Sequence, residues 1–228
     1  MNLRSVRTVF IFCSCLVVGH AVAAEDKAVT IGLIGDSTVA TTYGWGPAFA
    51  DRFNESVTVL NYAVNGATLE SLSVKLNRLI EQKPDYILIQ FGHNDMKRYG
   101  AEEYRKKLTD YVQRVKHGGS QAVILSSVTR RVFDENGQIT PVIIGGDRSL
   151  PAFAQAAKAV AQENDVPFID LNSISIAHHN KIGPEASAAY NFEGSDRTHF
   201  SNAGAAATAE LILAELKSAV PDLSALVK

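Results

Sequence analysis

Cysteine is almost missing from this chain. Two of its 228 residues are cysteines, and Cys13 and Cys15 both fall within the first two dozen positions. Everything after them therefore lacks a disulfide framework, a cysteine-ligated zinc site and a thiolate nucleophile. A surplus of positive charge is missing too: 22 Lys and Arg face 24 Asp and Glu, for a formal net charge of −2. That balance has no basic excess to neutralise phosphates, which disfavours nucleic acid as a partner. No internal repeat, low-complexity tract or dividing linker is visible. What is present is 46% hydrophobic and 20% charged residues. Such a profile supplies a sizeable core and excludes a disordered, collagen-like or polyelectrolyte chain.

At the N-terminus, Val9 to Val18 is an apolar run interrupted only by Ser14 and too short to span a bilayer. Arg4 and Arg7 precede it, Ala21-Val22-Ala23-Ala24 closes it with small residues, and Glu25 and Asp26 restore polarity. A positive flank, an apolar centre and an A-x-A-like end form the pattern of a cleavable secretory signal. The expectation is a signal peptide over residues 1–24 and a single domain over 25–228. Secretion or periplasmic location, no stable membrane association and a monomer are expected. A lipid anchor on Cys15 competes, but Phe12-Cys13-Ser14 makes a poor lipobox. Cleavage would leave 20 basic against 24 acidic residues, no help in attracting anionic polymers over a distance.

Further on, short β-rich runs alternate with helical stretches. Strands are expected at Val29 to Ile34, Val57 to Tyr62, Tyr86 to Phe91, Ala122 to Ser126 and Pro167 to Asp170. Helical spacing occupies Leu69 to Ile80, Glu102 to His117, Leu150 to Asn164 and about Asn202, as cap, to Lys217. Strand–helix alternation predicts an α/β fold with a parallel sheet covered on both faces. Arg131 to Asp147, containing Asn136-Gly137, looks like an insertion with a hairpin turn, and His178 to Arg197 looks irregular.

Ligands of open α/β sheets sit beyond the carboxyl ends of the strands, so the residues just after each strand are the place to seek chemistry. After the first comes Gly35-Asp36-Ser37-Thr38, where a glycine-permitted turn would expose the Ser37 hydroxyl. Read alone, the motif fits a turn or a helix cap as well. Asn65-Gly66 follows the second strand and Gly92-His93-Asn94-Asp95 the third. The Gly66 N–H, the Asn94 amide and the Ser37 N–H would supply three donors to an oxyanion, although Asn-Gly and Asn-Asp are also common turn pairs. Near the C-terminus, Asp196 precedes His199 by three residues. In a turn that spacing lets the carboxylate hold Nδ1–H and leaves Nε2 free to take a proton from a serine. A nucleophile, a base with its orienter and oxyanion donors together represent the parts of acyl transfer.

With these four blocks in this order, Gly35 to Ser37, Asn61 to Gly66, Gly92 to Asp95 and Asp196 to His199, the sequence resembles the SGNH (GDSL) hydrolase family. The resemblance implies a three-layer α/β/α, flavodoxin-like fold with a five-stranded parallel sheet. It also implies Ser37 as nucleophile, His199 as base, Asp196 as orienter, and an oxyanion hole of Ser37, Gly66 and Asn94. No metal or cofactor is implied. Gly-Asp-Ser-Thr, Phe91 to Asp95, Thr129-Arg130-Arg131, Ile182 to Ser187 and Thr198 to Ser201 look like the rhamnogalacturonan acetylesterase branch. That branch often carries arginine just after the second-block glycine, whereas this chain has Ala67-Thr68-Leu69-Glu70 there.

The resulting expectation is a serine esterase that removes O-acetyl groups from a plant cell-wall polysaccharide, acetylated rhamnogalacturonan or pectin foremost. A lipid-, thio- or arylesterase and a non-catalytic carbohydrate-binding protein are the alternatives. Trp45, Arg130 and Arg131 are candidate substrate contacts. Trp45 and Tyr43 could stack on sugars or belong to the core; the two arginines could bind a sugar carboxylate or form a solvated, ion-paired face. His178-His179 lacks a third ligand at matching spacing and is expected to be a neutral loop pair.

Overall fold

The computed structural model describes residues 28–228; the expected signal segment lies outside the described residues. In chain order these form β1 (Val29–Gly35), α1 (Gly46–Ala50), β2 (Val57–Asn61), α2 (Ser73–Ile80), β3 (Tyr86–Gln90), α3 (Ala101–His117), β4 (Gln121–Leu125), β5 (Ile143–Gly145), β6 (Arg148–Ser149), α4 (Leu150–Asn164), β7 (Phe168–Ile169), α5 (Leu171–Ala188), β8 (Asn191–Phe192), β9 (Asp196–Phe200), α6 (Asn202–Ala219) and α7 (Pro221–Ser224). Five strands make one parallel sheet in the order β2-β1-β3-β4-β7. This is the flavodoxin-like order, and its reversal between β1 and β3 opens a crevice at the carboxyl ends of those two strands.

Alternation along each strand builds the three layers. Ile31, Leu33, Leu88, Val123 and Leu125 pack with Phe49 of α1 and Ile212 and Leu216 of α6. On the opposite face, Ile34, Ile87, Ile89, Ala122 and Ile124 meet Leu76 and Leu79 of α2, Val112 of α3, and Phe153 and Val160 of α4. Both faces are covered, so the strands are continuous apolar runs, and each fully buried Leu or Ile contributes about 1.5–3 kcal/mol. Helix α3 shows why its segment is helical. Its buried Tyr104, Leu108, Tyr111, Val112 and Val115 recur at helical spacing, with Glu102 and Glu103 in the first turn and Arg114, Lys116 and His117 in the last; those charges oppose the helix dipole. No helix among the described residues is long and apolar enough to cross a membrane.

The five expected strands occur within two residues of their expected ends, and α4 has the expected bounds. Helix α2 starts at Ser73, not Leu69, because tertiary bonds claim the Leu69 backbone: its N–H donates to Asp95 Oδ1 at 2.9 Å and its carbonyl accepts from the Tyr111 hydroxyl at 2.6 Å. The segment expected to be irregular from His178 begins instead as α5. Asp170 caps this helix by accepting the Ser173 N–H at 3.2 Å. Its periodicity is interrupted at Gly183, where φ 78° and ψ 172° break the helix just before Pro184. The cap of α6 is Ser201, whose Oγ accepts from Gly204 N at 3.2 Å; Asn202 is already helical. Within the insertion, Asp134 Oδ1 accepts the N–H groups of Asn136 and Gln138 at 2.9 Å each, and β5 and β6 form a small ribbon.

Candidate active site

The turn after β1 sits at the sheet's switch point. A Cβ on Gly35 would lie 2.5 Å from the Gln90 carbonyl oxygen of β3 and 2.6 Å from Val39 Cγ2, so only glycine lets β1 end this close to its neighbour. Asp36 is fully buried, and its Oδ1 accepts from Thr38 N–H at 2.9 Å and Thr38 Oγ1 at 2.7 Å. Gln90 Nε2 donates to Thr38 Oγ1 at 2.5 Å, and Gln90 Oε1 accepts from Trp45 Nε1 at 2.9 Å. This buried relay clamps the turn on both sides of Ser37. Trp45 is thereby corrected as a substrate contact: it is 0% exposed and its indole serves the core. Tyr43 is the aromatic residue at the cleft, its ring 5.2 Å from that of His199.

Asp196 and His199 lie on β9, which pairs antiparallel with β8. Asp196 Oδ1 accepts the backbone N–H groups of Thr198 at 2.8 Å and His199 at 3.1 Å, which curls the chain so that the ring returns over the carboxylate. Asp196 Oδ2 then lies 2.6 Å from His199 Nδ1, and His199 Nε2 lies 2.7 Å from Ser37 Oγ. Partial burial pushes the Asp196 carboxyl up, but the hydrogen bonds from the His199 ring and the two backbone N–H groups outweigh it and hold it at about 2. It is ionised at neutral pH and can only accept. The proton therefore sits on Nδ1, and Nε2 accepts the Ser37 hydroxyl hydrogen.

Arg131 is also corrected. It is 2% exposed, and burial pushes its guanidinium down to about 10. Its Nε donates to Asn191 Oδ1 at 2.7 Å, and its Nη2 donates to the carbonyls of Asp196 and His199. The guanidinium also covers the Phe200 ring. Arg131 fastens the ribbon that carries the acid and the base, and it does not line the cleft that holds Ser37. Arg130, its neighbour, lines the cleft.

The remaining wall comes from the ends of β2 and β3. Gly66 has a φ of +76°, with nothing within 4 Å of where a Cβ would stand, so its backbone is open to approach. Asn94 Nδ2 donates to the Ala67 carbonyl at 3.1 Å, while Lys97 Nζ donates to Asn94 Oδ1 at 3.0 Å. Together these fix which way the amide faces and leave its second N–H unused. Asp95 ties the two blocks together, accepting from Leu69 N and from the Tyr99 hydroxyl; burial pushes its carboxyl up to about 6. His93 is buried, its Nε2 donating to the Val128 carbonyl at 2.9 Å, and burial pushes it down to about 4. Ser37, Gly66, Asn94 and His199 thus line one cleft of about 250 Å³. A larger cleft of about 550 Å³ shares Tyr43 with it but none of these four residues.

A model of the GDSL-like lipase/acylhydrolase family matches residues 33–207. The chain belongs to this family. Rhamnogalacturonan acetylesterase RhgT of Bacillus subtilis is 36% identical over 212 residues, covering 82% of this chain and 88% of that protein. Probable rhamnogalacturonan acetylesterase YesY of the same organism is 30% identical, covering 82% and 92%. Among solved structures, Bacillus subtilis YxiM superposes with a TM-score of 0.71 at 26% identity, over 84% of this chain and 56% of that one. Acetylxylan esterase Axe2 of Geobacillus stearothermophilus, at 21% identity and a TM-score of 0.64 over 83% and 94%, shares the fold. This GDSL-family member is a carboxylic ester hydrolase. Sequence reasoning overlooked Gln90 and Lys97. A lysine three residues after Asn94 was the available signal for the second; nothing local marked the first.

Proposed function

We propose that this hydrolase removes O-acetyl groups from a carbohydrate, acetylated rhamnogalacturonan foremost, through an acyl-serine intermediate. The observation that carries the reading is the Asp196–His199–Ser37 relay, at 2.6 and 2.7 Å, opening into a cleft of only about 250 Å³. His199 Nε2 takes the Ser37 proton as Oγ attacks the ester carbonyl, and Asp196 stabilises the imidazolium that forms. The Ser37 and Gly66 N–H groups and the free Asn94 amide hydrogen receive the developing oxyanion. His199 then protonates the leaving sugar hydroxyl and activates the water that releases acetate.

Polar cleft walls, with Asn65, Asn94, Lys97 and Arg130 among them, suit a small acyl group on a hydroxyl-rich alcohol better than a long hydrocarbon chain. The names of RhgT and YesY support the pectic polymer. Export on the N-terminal signal belongs to the same reading, since such a polymer lies outside the cell. The test is acetate release from acetylated rhamnogalacturonan, with acetylated xylan and a medium-chain acyl ester in parallel and Ser37→Ala as the blank. Preferential release from the pectic polymer, lost in the variant, is expected. Release from xylan alone, or cleavage only of the longer ester, overturns the substrate; equal rates in protein and blank overturn the mechanism.

A further inference from the structure

The catalytic cleft is small for a polymer. At about 250 Å³ it falls below the roughly 300–1,000 Å³ common for ligand clefts, which suits the ester and little of the chain that bears it. Beside it lies the cleft of about 550 Å³, and Tyr43 lines both. Phe200, the residue after His199, belongs to the wall of this larger cleft, and its N–H donates to the Tyr43 carbonyl at 3.0 Å. The Tyr43 ring packs on His199 and Phe192, with centroids 5.2 and 4.8 Å away, so the two clefts adjoin at the catalytic base.

The lining of the larger cleft combines two kinds of surface. Thr41, Thr42 and Asn202 bring side-chain donors and acceptors that no described residue uses, while Pro47, Ala48, Ala205 and Ala206 bring short apolar ones. A sugar ring, with hydroxyls at its rim and C–H groups on its faces, takes both. The walls are pinned by the fold. A Cβ on Gly44 would lie 2.3 Å from the Val39 carbonyl carbon, and Arg52, just after α1, pairs with Glu210 of α6 at 3.0 Å. That ion pair answers the arginine. The charge left on the wall is the Asp51 carboxylate, which forms no salt bridge among the described residues, and a carboxylate there disfavours a uronate.

We propose that this second cleft is a subsite for an uncharged sugar of the same glycan, next along the chain from the residue that carries the acetyl group, with Tyr43 as the contact the two share. The proposal rests on the carbohydrate reading above and names where the chain runs and which kind of sugar it places there. A ring seated between the loop threonines and the α6 alanines binds without touching the reacting atoms. Such remote contacts hold the ester at Ser37 and are read chiefly in KM.

The experiment compares kcat and KM on acetylated hexasaccharides of rhamnogalacturonan and of xylan, on acetylated galacturonic acid and acetylated xylose, and on 4-nitrophenyl acetate. The proteins are the natural chain, Ala206→Leu, Thr42→Leu and Asp51→Asn. In the preferred series the hexasaccharide should exceed the monosaccharide by roughly tenfold in kcat/KM, mainly through KM, as for a few added sugar contacts. Ala206→Leu adds bulk from α6 and should remove most of that advantage, shifting the monosaccharide and 4-nitrophenyl acetate far less. Thr42→Leu, at an exposed loop position, should do the same and decides the matter if the α6 variant folds poorly. No gain with length, or equal losses on all substrates, would overturn the subsite and leave the esterase reading standing. Asp51→Asn should not lower the KM of the hexasaccharide; a several-fold lower value would place a uronate there and overturn the choice of an uncharged sugar. Calorimetric titration of Ser37→Ala with the unacetylated hexasaccharides reads the subsite without turnover. Binding weakened by Ala206→Leu upholds it even if neither acetylated series is cleaved. Binding that Ala206→Leu leaves unaltered, or none at all, overturns it even if both are.

Discussion

Asp196→Asn tests the relay most sharply, because the structure dictates which way the new amide must face. Asp196 Oδ1 accepts two backbone N–H groups, from Thr198 at 2.8 Å and His199 at 3.1 Å. In the variant the amide oxygen must take that place, since an NH2 group there would face two donors. The NH2 group is then left where Oδ2 stood, 2.6 Å from His199 Nδ1. It donates to Nδ1, so the ring proton moves to Nε2, and Nε2 can no longer accept from Ser37. A tautomer reversal of this kind costs roughly four orders of magnitude in kcat, about 5–6 kcal/mol of barrier. Asp196→Ala imposes no tautomer, so it should be no worse than Asp196→Asn despite removing more of the side chain. Initial rates on 4-nitrophenyl acetate, with circular dichroism melts to verify folding, measure both variants. An Asn variant within tenfold of the natural protein, or an Ala variant far below the Asn variant, would refute the reasoning.

Asn94→Ala should lower kcat by two to three orders of magnitude with little change in KM, if its amide receives the oxyanion; an effect confined to KM would argue against that role. Arg131→Lys cannot bridge Asn191 and two ribbon carbonyls at once, and a loss of about 2–4 kcal/mol in urea unfolding is expected. A loss under about 0.5 kcal/mol would contradict the fastening role. His179 is buried, its Nδ1 paired with Ser187 Oγ at 2.9 Å, and burial pushes it down to about 3 from an ordinary value of 6.5. The unfolded chain therefore binds a proton between pH 6.5 and 3 that the folded chain does not, so this stabilisation is complete above 6.5 and is lost as pH falls through that window. His93, pushed down to about 4, acts in the same direction, whereas Asp95, raised to about 6, loses its contribution as pH rises towards 6. Comparison with His179→Gln cancels both. Between pH 7 and 4.5 the natural protein should lose about 2–3 kcal/mol more than the variant in urea unfolding, and parallel losses would refute the assignment.

The sheet was legible because a buried parallel strand is a continuous apolar run, and Gly35, Pro84 and the His117-Gly118-Gly119 stop punctuate those runs locally. Helix α5 was not, since the Gly183-Pro184 break falls in the middle of a polar stretch. The start of α2 was misplaced because Asp95 and Tyr111, distant in the chain, hold the Leu69 backbone out of the helix.

By itself the sequence determined the alternation of strands and helices and the residue types of the chemistry: Ser37 behind a glycine, Asn94 after β3, and Asp196 three residues before His199. These are local properties, written in spacing and side-chain type. Which neighbour faces the cleft was decided only by the tertiary structure. Trp45 turned inward to Gln90 while Tyr43 met His199. Arg131 was drawn into the ribbon by Asn191, 60 residues away, while Arg130 was left on the wall. The contact that makes the site, His199 to Ser37, spans 162 residues. Side-chain direction at a strand end follows from what packs on the other side of the chain, and no local pattern encodes that partner.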